Sequence, residues 1–459
     1  MKRSGPIILL AFCALLLITV PLVAQGQAFD LQQAVAAAQS GDTIVVPAGV
    51  YTGPLVITRP ITLEGQDGAI IDGGGTGDVI TIKAPDVTIR GFVLRNSGDS
   101  LDREHAGITG EAANLTIENN RLEDVLFGIY LKNAPGSVLR NNVVLSKNLE
   151  IGRRGDGIKV WYSAGTLMEG NRVSGSRDVI VWFSPHSIIR NNVVEDGRYG
   201  LHFMSNEDET IENNVLRKNS VGIYLMYGKD FIVRNNLLYD NHGPSGYGLA
   251  LKDVDDVRVE GNRMVSNRVG VYVDGSPLSL NADVHMEHNL FAYNEAGIEM
   301  LPSVQHNTYT NNVFQENGSQ ITIAGGGKLM GNNWAQGGRG NYWSDYAGFD
   351  ADGDHIGDLP YKSQSLYEDL MEKYPELRLF RLSPATDALD LAARAFPVFA
   401  PRIKMTDERP LMTPPSLPDI PGLVKPPLWA NLAAALGMLA VSVLVLFFGT
   451  RVKGTLASV

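Results

Sequence analysis

Apolar and polar residues alternate along the chain from about residue 42 to about residue 345. Alternation at every second position is the pattern of a half-buried β-strand. Within this stretch a four-residue phrase, glycine followed by an apolar, a variable and an apolar residue, returns about every 22 residues. It begins at Gly107, Gly128, Gly157, Gly200, Gly222, Gly248, Gly270 and Gly297, and Asp178 takes the place of glycine in one copy. A fixed period with short strands is typical of a solenoid and predicts an all-β parallel β-helix.

A second phrase, a short β-branched run that ends in two asparagines, lies between the glycine phrases. The pairs are Asn119-Asn120, Asn141-Asn142, Asn191-Asn192, Asn213-Asn214, Asn235-Asn236 and Asn311-Asn312. Asparagine tolerates the left-handed backbone of a sharp corner, and its amide can bond to neighbours above and below. The residues before the corners alternate in charge, beginning with Glu118 and Arg140. We therefore interpret the asparagines as architectural and the charges as control of register.

Both ends of the chain predict an exported protein that is held in a membrane. Lys2 and Arg3 precede an apolar run from Ile7 to Val23, which is the layout of a secretory signal peptide. Leu428 to Phe448 carries no charge and is long enough to span a bilayer. Because basic residues follow that span, we expect the C-terminus in the cytoplasm and the repeats in the periplasm or otherwise outside the cytoplasm.

The sequence divides into six predicted segments. They are a signal peptide (1–27), the β-helix (28–346), an Asp-rich closing loop (347–362), a helical C-terminal extension (363–396), a proline-rich spacer (397–427) and a transmembrane helix (428–450). The spacer is expected to be stiff and extended, because proline-rich chains favour an open conformation.

Charge and cysteine content narrow the chemistry. The net charge of −11 argues against a nucleic-acid partner, whose phosphates require a basic surface. The single cysteine, Cys13, lies in the predicted signal peptide. The exported part would then have no thiol, so a transition-metal site would use histidine, methionine or carboxylate ligands.

The positions two and four residues after each glycine are expected on the solvent-exposed outward face of one sheet, which should be mostly polar. A continuous band there instead consists of Trp161, Trp182, Met204 and Met226. The two methionines would stack on adjacent turns, with His202 beside them on the same face. An imidazole and two thioethers that reach one point suit Cu(I). We predict a transient Cu(I) site at His202, Met204 and Met226, covered by Trp182, with Trp161 and Tyr224 as further aromatic residues of this face.

Two insertions, 148–155 and 240–247, enter just before glycine phrases on the same edge and would wall a groove over the band. Loops on a rigid scaffold often carry function. His242 lies in one insertion and His186 follows Trp182, so both are further ligand candidates. The spacing alone also leaves open a protein-docking patch, because aromatic and methionine side chains are enriched at interfaces, and a carbohydrate groove.

An acidic loop follows the repeats and carries Asp350, Asp352, Asp354 and Asp358. Carboxylates at alternate positions around a glycine resemble a calcium loop. Tyr361 stands where the acidic twelfth ligand is expected, so the predicted calcium site is incomplete. The alternative is a solvated acidic turn that closes the β-helix.

These features together resemble the NosD family over about residues 29–412. The matching parts are the leader, the repeats, the closing Asn341-Tyr342-Trp343-Ser344-Asp345-Tyr346 with Asp352-Gly353-Asp354, and the stretch from Ser383-Pro384 to Pro397-Val398. The resemblance implies a right-handed parallel β-helix. It implies a periplasmic copper-handling protein that works with an ABC transporter, its ATPase and its permease, to assemble the copper–sulfur centre of nitrous-oxide reductase. It also implies that a membrane-bound copper chaperone, a lipoprotein, delivers the metal. The sequence has no phosphate-binding G-x-x-x-x-G-K-[ST] segment, so the ATPase must be another chain.

An exported polysaccharide lyase, hydrolase or epimerase is the alternative, and a purely structural surface β-helix is a third possibility. Such enzymes need converging carboxylates, or a carboxylate with a basic residue, in one groove. Asp156 with Lys159 is the nearest candidate, and Asp178 lies one turn further along. The outward band carries tryptophan and methionine where an acid pair would be needed, so we expect a binding factor rather than an enzyme.

Overall fold

Three parallel sheets run along the body of the protein, and each turn of the chain gives one strand to each sheet. The computed structural model describes residues 29–365, 367, 369–370, 374–380, 383–395, 401–419, 429, 432–433, 435–439 and 441–442. The described residues form an all-β parallel solenoid of about 12 turns, which confirms the β-helix predicted from the alternation. The predicted signal peptide lies outside the described residues.

The strands are short and evenly spaced. The first sheet consists of Thr43–Val46, Thr62–Gly65, Thr88–Arg90, Thr116–Glu118, Val138–Arg140, Leu167–Glu169, Ile188–Arg190, Glu207–Glu212, Lys229–Arg234, Asp255–Glu260, Val284–Glu287 and Asn307–Thr310. The second sheet consists of Gly49–Thr52, Ala69–Asp72, Val93–Arg95, Arg121–Val125, Val143–Ser146, Arg172–Ser174, Val193–Glu195, Val215–Arg217, Leu237–Tyr239, Arg263–Val265, Leu290–Ala292, Val313–Gln315 and Tyr342–Trp343. The third sheet consists of Leu55–Ile57, Ile80–Ile82, Ala106–Gly110, Phe127–Lys132, Ile158–Trp161, Asp178–Trp182, Tyr199–Met204, Val221–Met226, Tyr247–Lys252, Val269–Asp274, Ala296–Met300 and Ser319–Ile323.

The glycine phrases form the third sheet, and their apolar positions point into the solenoid as predicted. Leu201, Ile223, Leu249 and Val271 lie in register on successive strands and are fully buried. Full burial of one such side chain contributes about 1.5–3 kcal/mol. Glycine is required by close approach, since a Cβ at Gly200 would lie 2.6 Å from the carbonyl oxygen of Gly222.

The two asparagines of each pair have different structural roles at the corner. The first asparagine, such as Asn213, has a positive φ of 56° and makes the turn. The second, such as Asn214, is fully buried. The backbone N–H of Asn214 and its Nδ2 donate to Oδ1 of Asn236, at 2.9 and 3.0 Å. Its Nδ2 also donates to the carbonyl of Ile189. The predicted stacking of amides is therefore a continuous ladder.

The predicted charge alternation beside this corner is also present. Glu169 accepts hydrogen bonds from Arg140 at 3.0 Å on one side and from Arg190 at 2.7 Å on the other. Arg234 donates to Glu212 at 2.7 Å. Opposite charges thus meet on neighbouring strands of the first sheet.

A short helix covers the N-terminal end of the solenoid. The helix Leu31–Ala37 begins after Asp30, whose carboxylate accepts a hydrogen bond from the N–H of Gln33. Leu31 and Val35 are buried against the first turn. The helix thereby shields the open edge of the first strands from intermolecular pairing.

The C-terminal end is closed by residues 401–419, which belong to the segment that the sequence assigns to an extended spacer (397–427). The strand Met405–Asp407 pairs antiparallel with Tyr361–Ser363. Asp407 is fully buried and accepts hydrogen bonds from the N–H of Asn341 at 2.8 Å and from Nε1 of Trp343 at 3.0 Å. Its carboxylate stands where the next asparagine of the ladder would be, so the segment satisfies the last turn of the corner.

This segment, defined here as the closing strap (residues 401–419), then runs back along the body. The carbonyl of Pro418 accepts a hydrogen bond from Arg263, three turns before the end of the solenoid. The proline content suggested a spacer, but Met405–Asp407 and the carbonyl of Pro418 contact the rest of the protein.

The predicted helical extension and membrane span are only partly described. Among the described residues of 363–396, residues 367 and 369–370 are helical, and the helices whose bounds are described are the 3-10 helix Pro375–Phe380 and the α-helix Pro384–Ala395, so helix in the extension is limited. Most of the predicted span 428–450 lies outside the described residues. In the part of the chain that is described, no helix combines the length and the apolar character needed to cross a membrane.

Candidate functional site

The band predicted from the glycine phrases lies on the outward face of the third sheet. Trp182, Met204 and Met226 are partners in register on three successive strands. His202 lies one column away, in register with Ile180 and Tyr224. Adjacent strands in a sheet are about 4.8 Å apart. The sheet therefore brings His202, Met204 and Met226 onto one patch of surface.

His202 and Met226 are in direct contact. Nε2 of His202 lies 3.3 Å from Sδ of Met226. The histidine is only 6 % exposed, whereas both methionines are half-buried. Nδ1 of His202 is buried and has no hydrogen-bond partner among the described residues. A buried ring nitrogen without a partner is costly in a folded protein, and such groups call for a specific explanation.

Aromatic rings enclose this histidine on three sides. The ring centroid of His202 lies 5.2 Å from Trp182, 4.8 Å from Tyr199 and 6.0 Å from Tyr224. Trp161 packs edge-on against Trp182 at 5.9 Å. Nε1 of Trp182 is also buried without a partner in the described part of the chain. The site is thus an apolar box with two unsatisfied nitrogen atoms.

Burial determines the charge of the histidine. Removal from water lowers the pKa of His202 to about 4; the carboxylate of Asp178 opposes this shift and the guanidinium of Arg198 adds to it. The imidazole is therefore neutral at pH 7. A neutral imidazole offers a nitrogen lone pair, which is the form that binds metal ions.

The outward face is more buried than the sequence predicts. Tyr130, Lys159, Ile180 and His202 were expected to face solvent, but each is at most 6 % exposed. Large neighbours on adjacent strands cover this column, and near its N-terminal end Leu101 and Leu149 from inserted loops pack over it. These side chains point away from the interior of the solenoid, but they are not accessible to solvent. Wide side chains on neighbouring strands cover them.

The structure does not place His186 and His242 in contact with this box. Nδ1 of His186 lies 3.0 Å from Asp208, in a charged groove along the first sheet, and the side chain is exposed. His242 lies 3.3 Å from Asp240 within its own insertion and is also exposed. His186 follows Trp182 in sequence, but the chain turns a corner between them.

The residues considered for sugar chemistry are engaged in ion pairs. Asp156 is buried and accepts hydrogen bonds from Arg177 at 3.0 and 3.1 Å. Burial raises the pKa of Asp156 to about 6. Lys159 forms a salt bridge with Glu104 and lies over the rings of Tyr130 and Trp161. Asp156 is thus paired with Arg177, and Lys159 is paired with Glu104.

The acidic loop brings three of its four aspartates together. Ligand atoms of Asp350, Asp352 and Asp354 lie within 4.8 Å of one another. Asp358 instead accepts a hydrogen bond from the N–H of Ala351 and shapes the loop. Hydrogen bonds from loop N–H groups lower the pKa of Asp350, against an opposing effect of burial. The calcium site stays a prediction.

Sequence reasoning missed the residues that flank His202 on its N-terminal side. Tyr199 packs edge-on against the histidine, and the guanidinium of Arg198 lies 4.4 Å from the centre of the Tyr199 ring. Both precede the glycine of their phrase, a position that the alternation does not assign to the outward face. The one signal was Asp178, the residue that replaces glycine on the preceding turn and pairs with Arg198.

Comparison with known proteins identifies the family. The family model of NosD, described as a periplasmic copper-binding protein, matches residues 146–348. A protein of Pseudomonas aeruginosa named "Probable ABC transporter binding protein NosD" is 33 % identical over 382 residues, which are 80 % of this chain and 88 % of the relative. The chain belongs to the NosD family. A second NosD, from Stutzerimonas stutzeri, is 29 % identical over 81 % of this chain and 87 % of its own length.

Solved structures show the same fold at low identity. The A-module of the mannuronan C-5 epimerase AlgE6 from Azotobacter vinelandii has a TM-score of 0.53 and 18 % identity, over 66 % of this NosD chain and 93 % of the module. A GH87 α-1,3-glucanase from Streptomyces thermodiastaticus has a TM-score of 0.50 and 14 % identity, over 68 % of this chain and 66 % of that one. At these identities the likeness concerns the solenoid alone.

Proposed function

We propose that this chain is an extracytoplasmic copper-binding protein that carries Cu(I) at His202, Met226 and Met204. We further propose that it works with an ABC transporter to assemble the copper–sulfur centre of nitrous-oxide reductase. The observation that carries the site is the 3.3 Å contact between Nε2 of His202 and Sδ of Met226 inside an aromatic box. The family model's description as copper-binding supports the metal.

The donor set fits a soft monovalent ion. Thioether sulfur and neutral imidazole are ligands that suit Cu(I), and no ligand in the set carries a negative charge. Nε2 of His202 and Sδ of Met226 lie 3.3 Å apart, so both atoms would need little rearrangement to bind one ion.

The surroundings favour temporary rather than permanent binding. A histidine that binds metal through Nε2 carries its proton on Nδ1, and that N–H usually donates to a carboxylate or carbonyl. Nδ1 of His202 has no such partner among the described residues. Loss of this kind of outer partner typically lowers metal affinity about 10–100-fold. A weakly supported ligand suits a protein that must release its cargo.

A Cu(I) titration tests the site. We expect the exported protein to bind about one Cu(I) in competition with a chromophoric chelator, and His202→Ala or Met226→Ala to weaken binding at least tenfold. Met204→Ala should weaken it less, because it is Sδ of Met226 that lies 3.3 Å from Nε2 of His202. Matched controls are His285→Ala, on the first sheet, and Met264→Leu, in the core. Unchanged affinity in His202→Ala/Met226→Ala would refute the site.

The partners are proposed from the family. The relatives are named as ABC transporter binding proteins, which supports an ATPase and a permease as partner chains. A copper chaperone lipoprotein would supply the ion, and nitrous-oxide reductase would receive it. Reductase purified from cells that carry only His202→Ala/Met226→Ala should lack the copper–sulfur absorption bands. Normal bands in those cells would exclude this role for the site.

We also propose export and membrane anchoring. The apolar stretch Leu428 to Phe448 with Arg451 and Lys453 after it supports a C-terminal anchor with a cytoplasmic end. A chain cut after residue 427 should move from the membrane to the soluble extracytoplasmic fraction. If the shortened chain stays in the membrane, the stretch is not the anchor.

Calcium at Asp350, Asp352 and Asp354 is a separate proposal, supported by the approach of their ligand atoms. Addition of millimolar Ca²⁺ should raise the melting temperature of the protein, and Asp352→Asn/Asp354→Asn should abolish that rise. The same rise in the variant would exclude these ligands.

A further inference from the structure

Among the copies of the glycine phrase in the third sheet, one departs from the repeat, and it is the turn before His202. Asp178 occupies the place that glycine holds in the other copies of the phrase. The register shifts there: Asp178 pairs with Tyr199, whereas Ile180 pairs with His202. The strand that carries the histidine therefore has one extra residue between these pairs. Such bulges redirect side chains and occur often beside functional sites.

The irregular turn holds a group of hydrogen-bonded side chains beside the histidine. Oδ1 of Asp178 accepts hydrogen bonds from Nε of Arg198 at 3.0 Å and from the N–H of Tyr199 at 3.1 Å. Oδ2 forms a second, short hydrogen bond with Arg198. Asp178 is only 1 % exposed, so this pair is well shielded from water. The bidentate contact fixes the plane of the guanidinium.

The Asp178–Arg198 pair affects the proposed metal site through the ring of Tyr199. The guanidinium of Arg198 lies 4.4 Å from the centre of the Tyr199 ring. That ring contacts His202 at 4.8 Å and Tyr224 at 5.5 Å, in both cases edge to face. The other ring nitrogen of His202 has no hydrogen-bond partner in the described part of the chain, so packing replaces the usual hydrogen bond as the means of orienting the imidazole.

We propose that Asp178, Arg198 and Tyr199 are positioning residues that hold the imidazole of His202 against Met226 for Cu(I) binding. The inference rests on the proposed copper site. It explains the departure from the repeat at Asp178 by a role in the metal site rather than by a role in the fold. Tyr199 is the residue that contacts His202, and Asp178 and Arg198 act on the histidine through Tyr199.

The same sheet contains a matched control. Tyr247 lies in the column of Tyr199, two strands further along, and Arg268 lies over its ring at 5.2 Å. This second arginine–tyrosine pair has Tyr272 as its neighbour instead of a histidine. Removal of the Tyr247 ring thus removes a similar contact from the scaffold without removing a contact to a metal ligand.

The experiment compares Tyr199→Leu with Tyr247→Leu in the full exported protein, with Cu(I) and redox-inert Ag(I) as probes. We expect Tyr199→Leu to weaken Cu(I) and Ag(I) binding about tenfold, the effect typical of an outer partner of a metal ligand. X-ray absorption of the Cu(I) form should show the nitrogen contribution lost or diminished while sulfur remains. Tyr199→Phe, which keeps the ring, should restore wild-type affinity and nitrogen ligation. Tyr247→Leu should lower the melting temperature about as much as Tyr199→Leu does, and it should leave the affinity for Cu(I) and Ag(I) unchanged.

A second variant tests the origin of the bulge. Asp178→Gly restores the residue found in the other copies, so the fold should tolerate it, yet we expect weaker Cu(I) binding with the same loss of nitrogen ligation. Wild-type affinity and ligation in both Tyr199→Leu and Asp178→Gly would overturn the positioning role while leaving the copper site intact, provided that His202→Ala still weakens binding. If the wild-type protein binds neither ion, the proposed copper site itself is wrong and the positioning role falls with it. Equal loss of affinity in Tyr199→Leu and Tyr247→Leu would also overturn the role, since it would indicate a general effect on the scaffold.

Discussion

The asparagine corner and the His202 face lie on the same turns of the solenoid but differ in how they treat polar groups. At the corner, each second asparagine repeats the same buried contacts on the next turn, as from Asn192 to Asn214 and Asn236. On the face, side chains change from turn to turn, and both His202 and Trp182 keep a buried nitrogen without a partner in the described structure. Regular hydrogen bonds of the second asparagines mark the architecture, although Oδ1 of Asn213, a first asparagine, is buried without a partner among the described residues. Irregularity with incomplete hydrogen bonding marks the place where a ligand can supply what the chain does not.

If this contrast is correct, the two regions should respond to substitution in opposite ways. Damage to the corner should reduce stability and spare metal affinity. Damage to the face should reduce metal affinity and cost the fold comparatively little, because a metal-binding side chain in a strained or unsatisfied environment contributes little stability of its own.

The largest expected effect on stability comes from the middle of the ladder. Asn214→Ala removes the acceptor for the N–H of Asn192 and the donor to the carbonyl of Ile189. The buried N–H of Asn192 is left without a partner, which costs about 1–3 kcal/mol, so the free energy of unfolding in denaturant should fall by at least that amount. Cu(I) affinity of the folded protein should equal that of the wild type.

Asn213→Gly is the control for that substitution, because it changes the neighbouring asparagine at the turn. Glycine adopts the φ of 56° at this position without strain, so little stability should be lost. If Asn214→Ala weakens copper binding as much as it weakens the fold, the corner and the face are not separable and the comparison fails.

A pH-dependent effect is expected from Glu209, a buried carboxyl group near the start of the strand Glu207–Glu212, whose other end leads into the Asn213-Asn214 corner. Glu209 is 1 % exposed; one carboxyl oxygen accepts a hydrogen bond from the N–H of Ser187, and the other has no partner among the described residues. Burial raises the pKa of Glu209 to about 9. The folded protein therefore keeps this proton at pH values where the unfolded chain, with a pKa near 4.5, has lost it.

The sign of the pH dependence follows from this difference. The contribution of Glu209 to stability is full below about pH 4.5, declines as the pH rises, and is lost as the pH passes about 9. The slope for one proton is at most about 1.4 kcal/mol per pH unit. Glu209→Gln should remove this slope, so its melting temperature should exceed that of the wild type increasingly between pH 6 and pH 9. Glu207→Gln, an exposed neighbour, should leave the slope unchanged. Parallel pH profiles for wild type and Glu209→Gln would show that the group is ionised in the folded state.

The sequence predicts much of the corner because each of its contacts repeats with the period. Once residues about 22 positions apart are stacked, Asn214 must meet Asn236 and Glu212 must meet Arg234, whatever the rest of the chain does. The same argument brings Met204 beside Met226 on the face. Stacking of columns is thus the part of the structure that the pattern determines.

The remaining contacts of the structure depend on features that do not repeat with the period of the solenoid. Tyr199 reaches His202 because the register shifts at Asp178, and a shift is invisible to an argument that assumes constant register. The burial of His202 depends on the size of its neighbours. His186 lies beside Asp208 and away from His202 because a corner follows Trp182. The closing strap pairs Met405–Asp407 with Tyr361–Ser363 across a long stretch of sequence, and local proline content says nothing about such a contact.

The smallest expected effect tests whether the charges beside the corner act as pairs or as a ladder. Arg234→Gln breaks the 2.7 Å contact with Glu212, but the arginine side chain is 46 % exposed, so the loss should be about 0.2–1 kcal/mol and should vanish at high salt. The exchange Glu212→Arg/Arg234→Glu keeps that pair and places like charges against Arg190 on one side and Glu260 on the other, which stand in register with them. If register control is the function of the alternation, the exchange should cost more than Arg234→Gln despite its intact pair, since like charges on neighbouring strands repel. Thermal unfolding at low and high salt measures both. An exchange as stable as the wild type would mean that only the isolated pairs matter and that the alternation of charge does not control the register.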